Sequence, residues 1–432
     1  MTRNHSTGGP SEAAFDLLRR AFDAGWRAAQ AAHCLKPHLP PHLAPSPAGR
    51  AVVVGAGKAA AAMAEVVADR WPGPIAGLVV TRYGHGRPAG AIEVVEAAHP
   101  VPDRAGTLAA ERILDLAAGL GPGDLLLCLL SGGGSALLTL PAPGLDLGHK
   151  RAVTDALLRS GAAIAEINCV RKHLSAIKGG RLGARAHPAR VLSLIVSDVV
   201  GDDLAAIASG PTVADPTTFA MARDVLARYH ITPPAAVARH LARAEDETPK
   251  PGDARLKGVE NRIVASAGLA LKAAAGVVAA AGYRPVPLGD DLIGEARELG
   301  RRHAAMALAY QAEGTPVALI SGGEATVTVR GAGRGGPNAE YALGLAVALA
   351  RAPGIHALAC DTDGIDGSAD NAGAVIGPGT LARGAARGLD AETSLAENDA
   401  HGYFAASAGL VITGPTLTNV NDLRIILVDP LE

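Results

Sequence analysis

Val53-Val54-Gly55-Ala56-Gly57-Lys58-Ala59-Ala60 decides how this chain is read. An apolar run stops at two glycines and a lysine, then resumes as an alanine-rich segment with helical spacing. That is a strand entering a helix through a tight turn. The first turn of a helix carries N–H groups without internal acceptors, so the junction suits an anion. Lys58 adds a positive charge where a cation opposes the helix dipole, a placement that packing alone does not favour. Gly55-x-Gly57-x-x-Ala60 also matches the dinucleotide-binding fingerprint. The ribose-binding acid expected about 20 residues further on is missing. Thr81-Arg82 stands there, and Arg82 suits the extra phosphate of NADP. Because Ala59 follows Gly57-Lys58, and no glycine lies at the required upstream position, the segment is not a P-loop.

Outward from this turn, strand and helix patterns alternate. Apolar runs at 51–54, 77–81, 92–96, 124–130 and 191–197 read as strands, and 58–70, 103–118 and 150–167 as helices. Residues 11–33 read as an amphipathic helix with Phe15, Leu18, Phe22 and Trp26 on one stripe. Strands apolar throughout and separated by helices imply an α/β fold with a parallel sheet covered on both faces. Pro233-Pro234 and Glu245-Asp246-Glu247-Thr248-Pro249-Lys250-Pro251-Gly252 mark an exposed connection, so two domains are expected, 1–250 and 251–432. Beyond it the pattern restarts, with strands at 262–267, 284–288, 316–321, 325–330, 355–360 and 424–428. A hairpin around Gly322-Gly323 would make this second sheet mixed.

Composition narrows the function. Lys and Arg number 40 against 42 Asp and Glu, a net charge of −2, and aromatics are 3%. Neither a polyanion-binding surface nor a base-stacking platform is expected, so nucleic acid is excluded as a partner. No apolar run reaches the length of a membrane span, and Met1–Pro10 has no signal-peptide core. A soluble, cytoplasmic protein is expected. Cys34, Cys128, Cys169 and Cys360 have no metal or redox spacing and read as buried thiols.

Several further segments can carry chemistry. Ser131-Gly132-Gly133-Gly134-Ser135 ends a buried strand with successive N–H groups able to wrap phosphate oxygens. Asn168–Arg181 is densely basic, and Lys178-Gly179-Gly180 reads as a loop over an anionic ligand. Ser197-Asp198-Val199-Val200-Gly201-Asp202-Asp203 and Asp361-Thr362-Asp363-Gly364-Ile365-Asp366-Gly367 gather carboxylates at strand ends, which suits Mg²⁺ or turn formation alike. Gly331-Ala332-Gly333-Arg334-Gly335-Gly336 sets one arginine amid glycines before a helix. The guanidinium there can fork onto a carboxylate or phosphate, and Glu324 lies close upstream.

Taken in order, Gly55–Ala59, Ser131–Leu138, Asn168–Leu182, Ser197–Val213, Ser321–Glu324, Gly333–Asn338, Thr362–Gly367 and Thr413–Arg424 resemble the class II glycerate kinases, whose second half is the MOFRL domain. Pro337, Ala339, Leu417 and Val200 depart from the family pattern. The resemblance implies an N-terminal Rossmann-like parallel sheet with helices on both faces and a C-terminal α/β domain with a mixed sheet. It implies transfer of the ATP γ-phosphoryl group to the 2-hydroxyl of D-glycerate, with Mg²⁺. Lys58, Arg334 and Asp198 are then the expected catalytic residues. Gly55, Gly57, Ser131, Gly132, Gly133, Gly134, Ser135 and Lys178 are expected to hold the nucleotide, and Glu324, Asp361 and Asp363 the metal. The expected partners are small molecules, and a homodimer is allowed. An NADP-dependent hydroxypyruvate reductase and a non-catalytic binder of phosphorylated metabolites stay open as alternatives.

Overall fold

The computed structural model describes residues 10–40 and 49–431. The polar opening, Met1–Gly9, lies outside the described residues. Contacts divide the chain into two units. One is Ala31–Val264. The other runs from Ala265 onward and includes the N-terminal helix Pro10–Ala28.

The first unit holds strands β1 (Ala51–Ala56), β2 (Ile75–Arg82), β3 (Ile92–Ala97), β4 (Leu125–Leu130), β5 (Arg190–Val196) and β6 (Val259–Ala265). Their order across the sheet is β3-β2-β1-β4-β5-β6. The pairings among β1 to β5 are all parallel. All six residues of β4, Leu-Leu-Leu-Cys-Leu-Leu, are buried, as a strand covered on both faces requires. Val54, Leu78, Leu126 and Cys128 pack against Ala109, Ile113 and Ala117 of the helix Arg104–Ala118. Asp103 fixes the start of that helix by accepting from the N–H of Gly106. The chain leaves β1 toward β3 and then returns past β1 to β4. In open parallel sheets, ligands bind outside the carboxyl ends of the strands at such a reversal.

Three local expectations change. The single helix expected over 150–167 is two helices, Leu147–Arg159 and Ile164–His173, broken where Gly161 adopts φ +72°. The helix expected over 11–33 ends at Ala28, and a short turn Ala31–Cys34 follows. The 245–252 stretch is exposed at its ends, as expected, but its middle is anchored. Glu247 accepts from His173 Nε2 at 2.8 Å and from the N–H of Phe219 at 3.2 Å. Thr248 is buried, and its hydroxyl donates to Asp215 at 3.0 Å. Those anchors carry the first unit through β6, so the division falls after Val264 rather than at residue 250.

The second unit holds β7 (Arg284–Gly289), β8 (Ile293–Glu295), β9 (Val317–Ser321), β10 (Glu324–Thr326), β11 (Ile355–Asp361), β12 (Gly373–Ile376), β13 (Leu410–Val411) and β14 (Asp422–Val428). Six of these form one sheet in the order β13-β12-β11-β14-β9-β7. Only β7 and β9 pair in parallel there, so the sheet is mixed as expected. The Gly322-Gly323 turn is not a hairpin. β10 pairs with β8, in parallel. Leu18 and Phe22 of the helix Pro10–Ala28 bury against Ile320, Leu358 and Ile425 of this sheet. On another helix pair, glycines set the spacing. A Cβ on Gly300 would lie 2.4 Å from the Tyr341 carbonyl oxygen, and one on Gly344 2.8 Å from that of Arg297. No helix among the described residues is long and apolar enough to cross a membrane. The four cysteines are buried free thiols.

Asp215 gives a direct test of the revised boundary. It is fully buried beside Lys172, at 3.4 Å, and accepts from Thr217 and Thr248. Burial pushes its carboxyl up, but Lys172 and Thr217 outweigh this and hold it below the usual range. Asp215→Ala strands a buried ammonium and should lower the unfolding free energy by about 3–5 kcal/mol in urea melts. A loss under about 1 kcal/mol would show that the 245–252 stretch is not tied down through this residue.

Candidate functional site

The reversal point of the first sheet is built from two interlocked turns. After β1, Gly57 adopts φ +140°, and a Cβ there would sit 2.1 Å from Ser131 Oγ. A Cβ on Gly55 would lie 2.3 Å from the Leu129 carbonyl oxygen. The expected glycines are therefore demanded by the approach of β4. The N–H groups of the β1 turn are also spent within the protein. Gly57 donates to the Val80 carbonyl at 3.0 Å and Lys58 to that of Gly132 at 2.8 Å. Ala59 donates to Ser131 Oγ at 3.0 Å. The N–H groups expected to bind an anion here are thus taken up by protein acceptors. In the β4 turn, Ser131 donates to the Ala56 carbonyl and Gly134 to that of Ser131. The N–H groups of Gly132 and Gly133 have no intramolecular acceptor among the described residues. Gly133, at φ +80°, caps the short helix Gly134–Leu137.

Lys58 and Asp198 flank this turn. A Cβ on Gly132 would lie 1.9 Å from Asp198 Oδ2, and one on Gly133 3.4 Å from Lys58 Cγ. Asp198 leaves no room for a side chain at Gly132, and at Gly133 the φ of +80° favours glycine. Burial raises the Asp198 carboxyl above its usual range, and the Lys58 ammonium offsets part of that rise. His99, also against Gly133, is held down to about 4 by burial and by the positive charges of Lys58, Arg82 and His85. The turn therefore lies in a positive field, with a neutral imidazole as its reporter. Arg82 contributes to that field. Thr81, where an acid was sought, is buried and donates to the Lys58 carbonyl at 3.3 Å.

Ser135 Oγ lies 2.9 Å from Ser209 Oγ, which reaches Asn168 Oδ1 at 3.4 Å. Lys178 is buried in the loop that follows the helix Ile164–His173, and its ammonium donates to the Ala208 carbonyl at 3.3 Å. The sequence reading of Lys178-Gly179-Gly180 as loop agrees with this. Gly133, Ser135 and Lys178 line one cavity of about 330 Å³. Of the expected nucleotide-binding residues, these three line the cavity, Gly132 lies beside it against Asp198, and Gly55, Gly57, Ser131 and Gly134 are engaged by protein neighbours.

In the second unit, three of the singled-out segments gather around a buried pair. Arg424, fully buried, pairs with Asp422 and donates to the Gly322 carbonyl at 2.9 Å. Asp422 accepts from the N–H of Ala325 at 3.2 Å and from Asn338 Nδ2 at 2.7 Å. Asp366 accepts from the N–H groups of Asn338 and Ala339, capping the helix Pro337–Leu349. The Ser321–Glu324, Gly333–Asn338 and Thr362–Gly367 segments are thereby fixed to one another. Asp422 and Arg424 carry this arrangement, and no motif in the sequence assigned either of them a role. Arg334 is exposed. Its backbone is held by Asp399 at 3.1 Å and by the N–H of His401 at 3.0 Å. Gly331 and Gly333 press against Glu397–Asp399, and Gly336 against Asp366. These glycines answer to protein neighbours rather than to close approach of a ligand.

Of the expected metal residues, Glu324 is exposed on β10. Asp361 and Asp363 meet at the end of β11. Burial, then the charges of Asp363 and Asp422, push the Asp361 carboxyl well above its usual range, and Asp361 accepts from the N–H of Asp363 at 2.8 Å. Among the described residues, no group of three or more His, Cys, Asp or Glu side chains is arranged to hold a metal.

Comparison with known proteins agrees with this architecture. Residues 17–242 match a family described as a domain of unknown function, and 317–422 match the MOFRL family. An Agrobacterium vitis protein, provisionally named a hydroxypyruvate reductase, is 52% identical over 95% of this chain and 94% of its own. The D-glycerate 2-kinase of Thermotoga maritima is 41% identical over 88% of this chain and 91% of its own. A crystal structure of glycerate kinase from Thermotoga maritima superposes with a TM-score of 0.90, at 38% identity, over 96% of this chain and 100% of that one. With the β1 and β4 turns, the Arg334 loop and the MOFRL segment all in place, the chain belongs to the glycerate 2-kinase family.

Proposed function

We propose that the chain transfers the γ-phosphoryl group of ATP to the 2-hydroxyl of D-glycerate, giving 2-phosphoglycerate and ADP. One observation carries this reading. The reversal point of the parallel sheet presents a lysine, two unspent backbone N–H groups and a carboxylate around one glycine turn. Phosphoryl transfer asks for positioning and charge neutralisation more than for covalent chemistry. In this reading Lys58 and the Gly132 and Gly133 amides receive phosphoryl oxygens. Asp198, its carboxyl raised by burial, accepts the proton of the attacking hydroxyl. In the second unit, the exposed Arg334 guanidinium can fork onto a carboxylate or phosphate oxygen.

Mg²⁺ fits the acidic end of β11 chemically. Burial and the neighbouring charges of Asp363 and Asp422 favour a proton on Asp361, and a divalent cation would offset the same crowding of carboxylates. These two residues would hold it, and the ion would supply positive charge at that strand end; among the described residues, Glu324 forms no group of three acids with them. A cytoplasmic setting and a homodimer belong to the same proposal, and light scattering reports the second.

The reductase reading is disfavoured by the β1 turn. A dinucleotide needs the N–H groups at the start of the helix Ala60–Arg70, yet those of Gly57, Lys58 and Ala59 are bonded to protein acceptors. A coupled assay with ATP, Mg²⁺ and D-glycerate, beside an NADPH oxidation assay with hydroxypyruvate, separates the two. The first should turn over and the second should not, and NMR of the product should place phosphate on C2. NADPH oxidation without phosphoglycerate would reverse the assignment.

Two further outcomes are expected. Lys58→Met and Arg334→Ala should each lower kcat/KM by about 10²–10³-fold, with circular dichroism unchanged. Near-normal rates in both would remove these residues from the site. His99 should titrate at about 4 in the free protein by ¹H–¹⁵N NMR. An anion at the neighbouring turn favours the imidazolium, so ADP or 2-phosphoglycerate should move that midpoint upward. A midpoint unmoved at saturating ligand would place the anion elsewhere.

A further inference from the structure

The cavity beside the β4 turn holds more positive charge than the protein neutralises. Its wall carries Lys150, Arg171 and Lys178, and also Arg151, which donates to the Pro102 carbonyl. Lys150 is buried and donates to the Leu174 carbonyl at 3.2 Å. Lys178 is likewise buried and tied to a carbonyl, that of Ala208. The half-buried Arg171 guanidinium makes no hydrogen bond or ion pair among the described residues. Asp155 is the single acid on the same wall. Burial, then Arg171, hold the Lys150 ammonium down to about 7. Burial, then Lys150 and Arg171, press Lys178 well below its usual range. Three cations that repel one another in a desolvated wall weaken the fold unless an anion enters.

Resting on the kinase reading, we propose that this cavity seats the nucleotide, its polyphosphate on Lys150, Arg171 and Lys178 and its base against the apolar rim formed by Val101 and Leu158. Charge, size and rim all favour the nucleotide over the acid substrate. A single carboxylate would leave most of the positive charge unmatched, whereas a di- or triphosphate matches it. A volume of about 330 Å³ far exceeds what a three-carbon acid fills. Val101 and Leu158 are 58% and 56% exposed, an apolar edge that a hydroxy acid cannot use and a purine can cover. The cavity also ends on Gly133, the glycine that Lys58 and His99 flank. A polyphosphate seated here therefore runs toward the amides proposed to receive the transferring group.

Isothermal titration with ADP and with inorganic tripolyphosphate, on the wild type and on Lys150→Met and Arg171→Gln, tests this. Lys150→Met keeps side-chain length and removes a buried charge, so it should melt no lower than the wild type. Arg171→Gln lies at a half-buried position and serves if the first variant misfolds. Both ligands should bind the wild type, and each variant should weaken them by about 10–100-fold, the loss of one charge-assisted contact. The KM for D-glycerate should stay within about two-fold, less than one such contact. Unchanged ADP affinity in folded variants overturns the assignment. So does a rise in the D-glycerate KM with ADP affinity retained. The kinase reading fails separately. In that case the wild type would not phosphorylate glycerate, yet ADP would still bind through Lys150.

Discussion

The site depends on the crossing of two turns at the carboxyl ends of β1 and β4. Ala59 donates to Ser131 Oγ, Lys58 to the Gly132 carbonyl and Ser131 to the Ala56 carbonyl. Three hydrogen bonds across adjacent parallel strands lock the β1 turn to the β4 turn. The lock has two consequences. It uses up the amides of the first helix, and it leaves those of Gly132 and Gly133 facing outward between Lys58 and Asp198. A fold that usually offers free amides at its first turn thereby offers them after its fourth strand instead.

The second unit solves a comparable problem with charge. Asp422 and Arg424 sit fully desolvated at the start of β14 and bond to the backbone or side chains of neighbouring segments. A buried ion pair adds little net stability, but removing either partner leaves the other exposed to the full cost of burial. Its service here is to hold the Glu324 turn and the Arg334 loop in register with the β11 end. Glycine-rich loops become fixed platforms because Gly323, Gly331, Gly333 and Gly336 are pressed against neighbours that leave no room for a Cβ.

Much of the fold was legible in sequence. Parallel strands buried on both faces are continuous apolar runs, and 125–130 could be nothing else once its neighbours alternated with helices. Punctuation by glycine was less legible. Gly161 breaks a helix, whereas Gly300 and Gly344 sit inside helices to let them approach. One-dimensional pattern does not tell these apart. The acidic, proline-rich 245–252 stretch shows the same limit. Its composition belongs to a linker, but Glu247 and Thr248 are consumed by His173 and Asp215 from distant parts of the chain.

The sequence by itself determined the α/β alternation, the mixed second sheet and the identities of Lys58, Asp198, Arg334 and the Ser131–Ser135 turn as chemically unusual. Local pattern suffices there, because a lysine at a strand–helix junction or three consecutive glycines are costly without a purpose. Only the tertiary structure decided which amides are spent and which remain. It alone also turned Lys150, an ordinary residue in a helical pattern, into a desolvated cation beside Arg171 and Lys178. Hydrogen-bond accounting and desolvation depend on what lies across space, and residue order carries that information only through the fold.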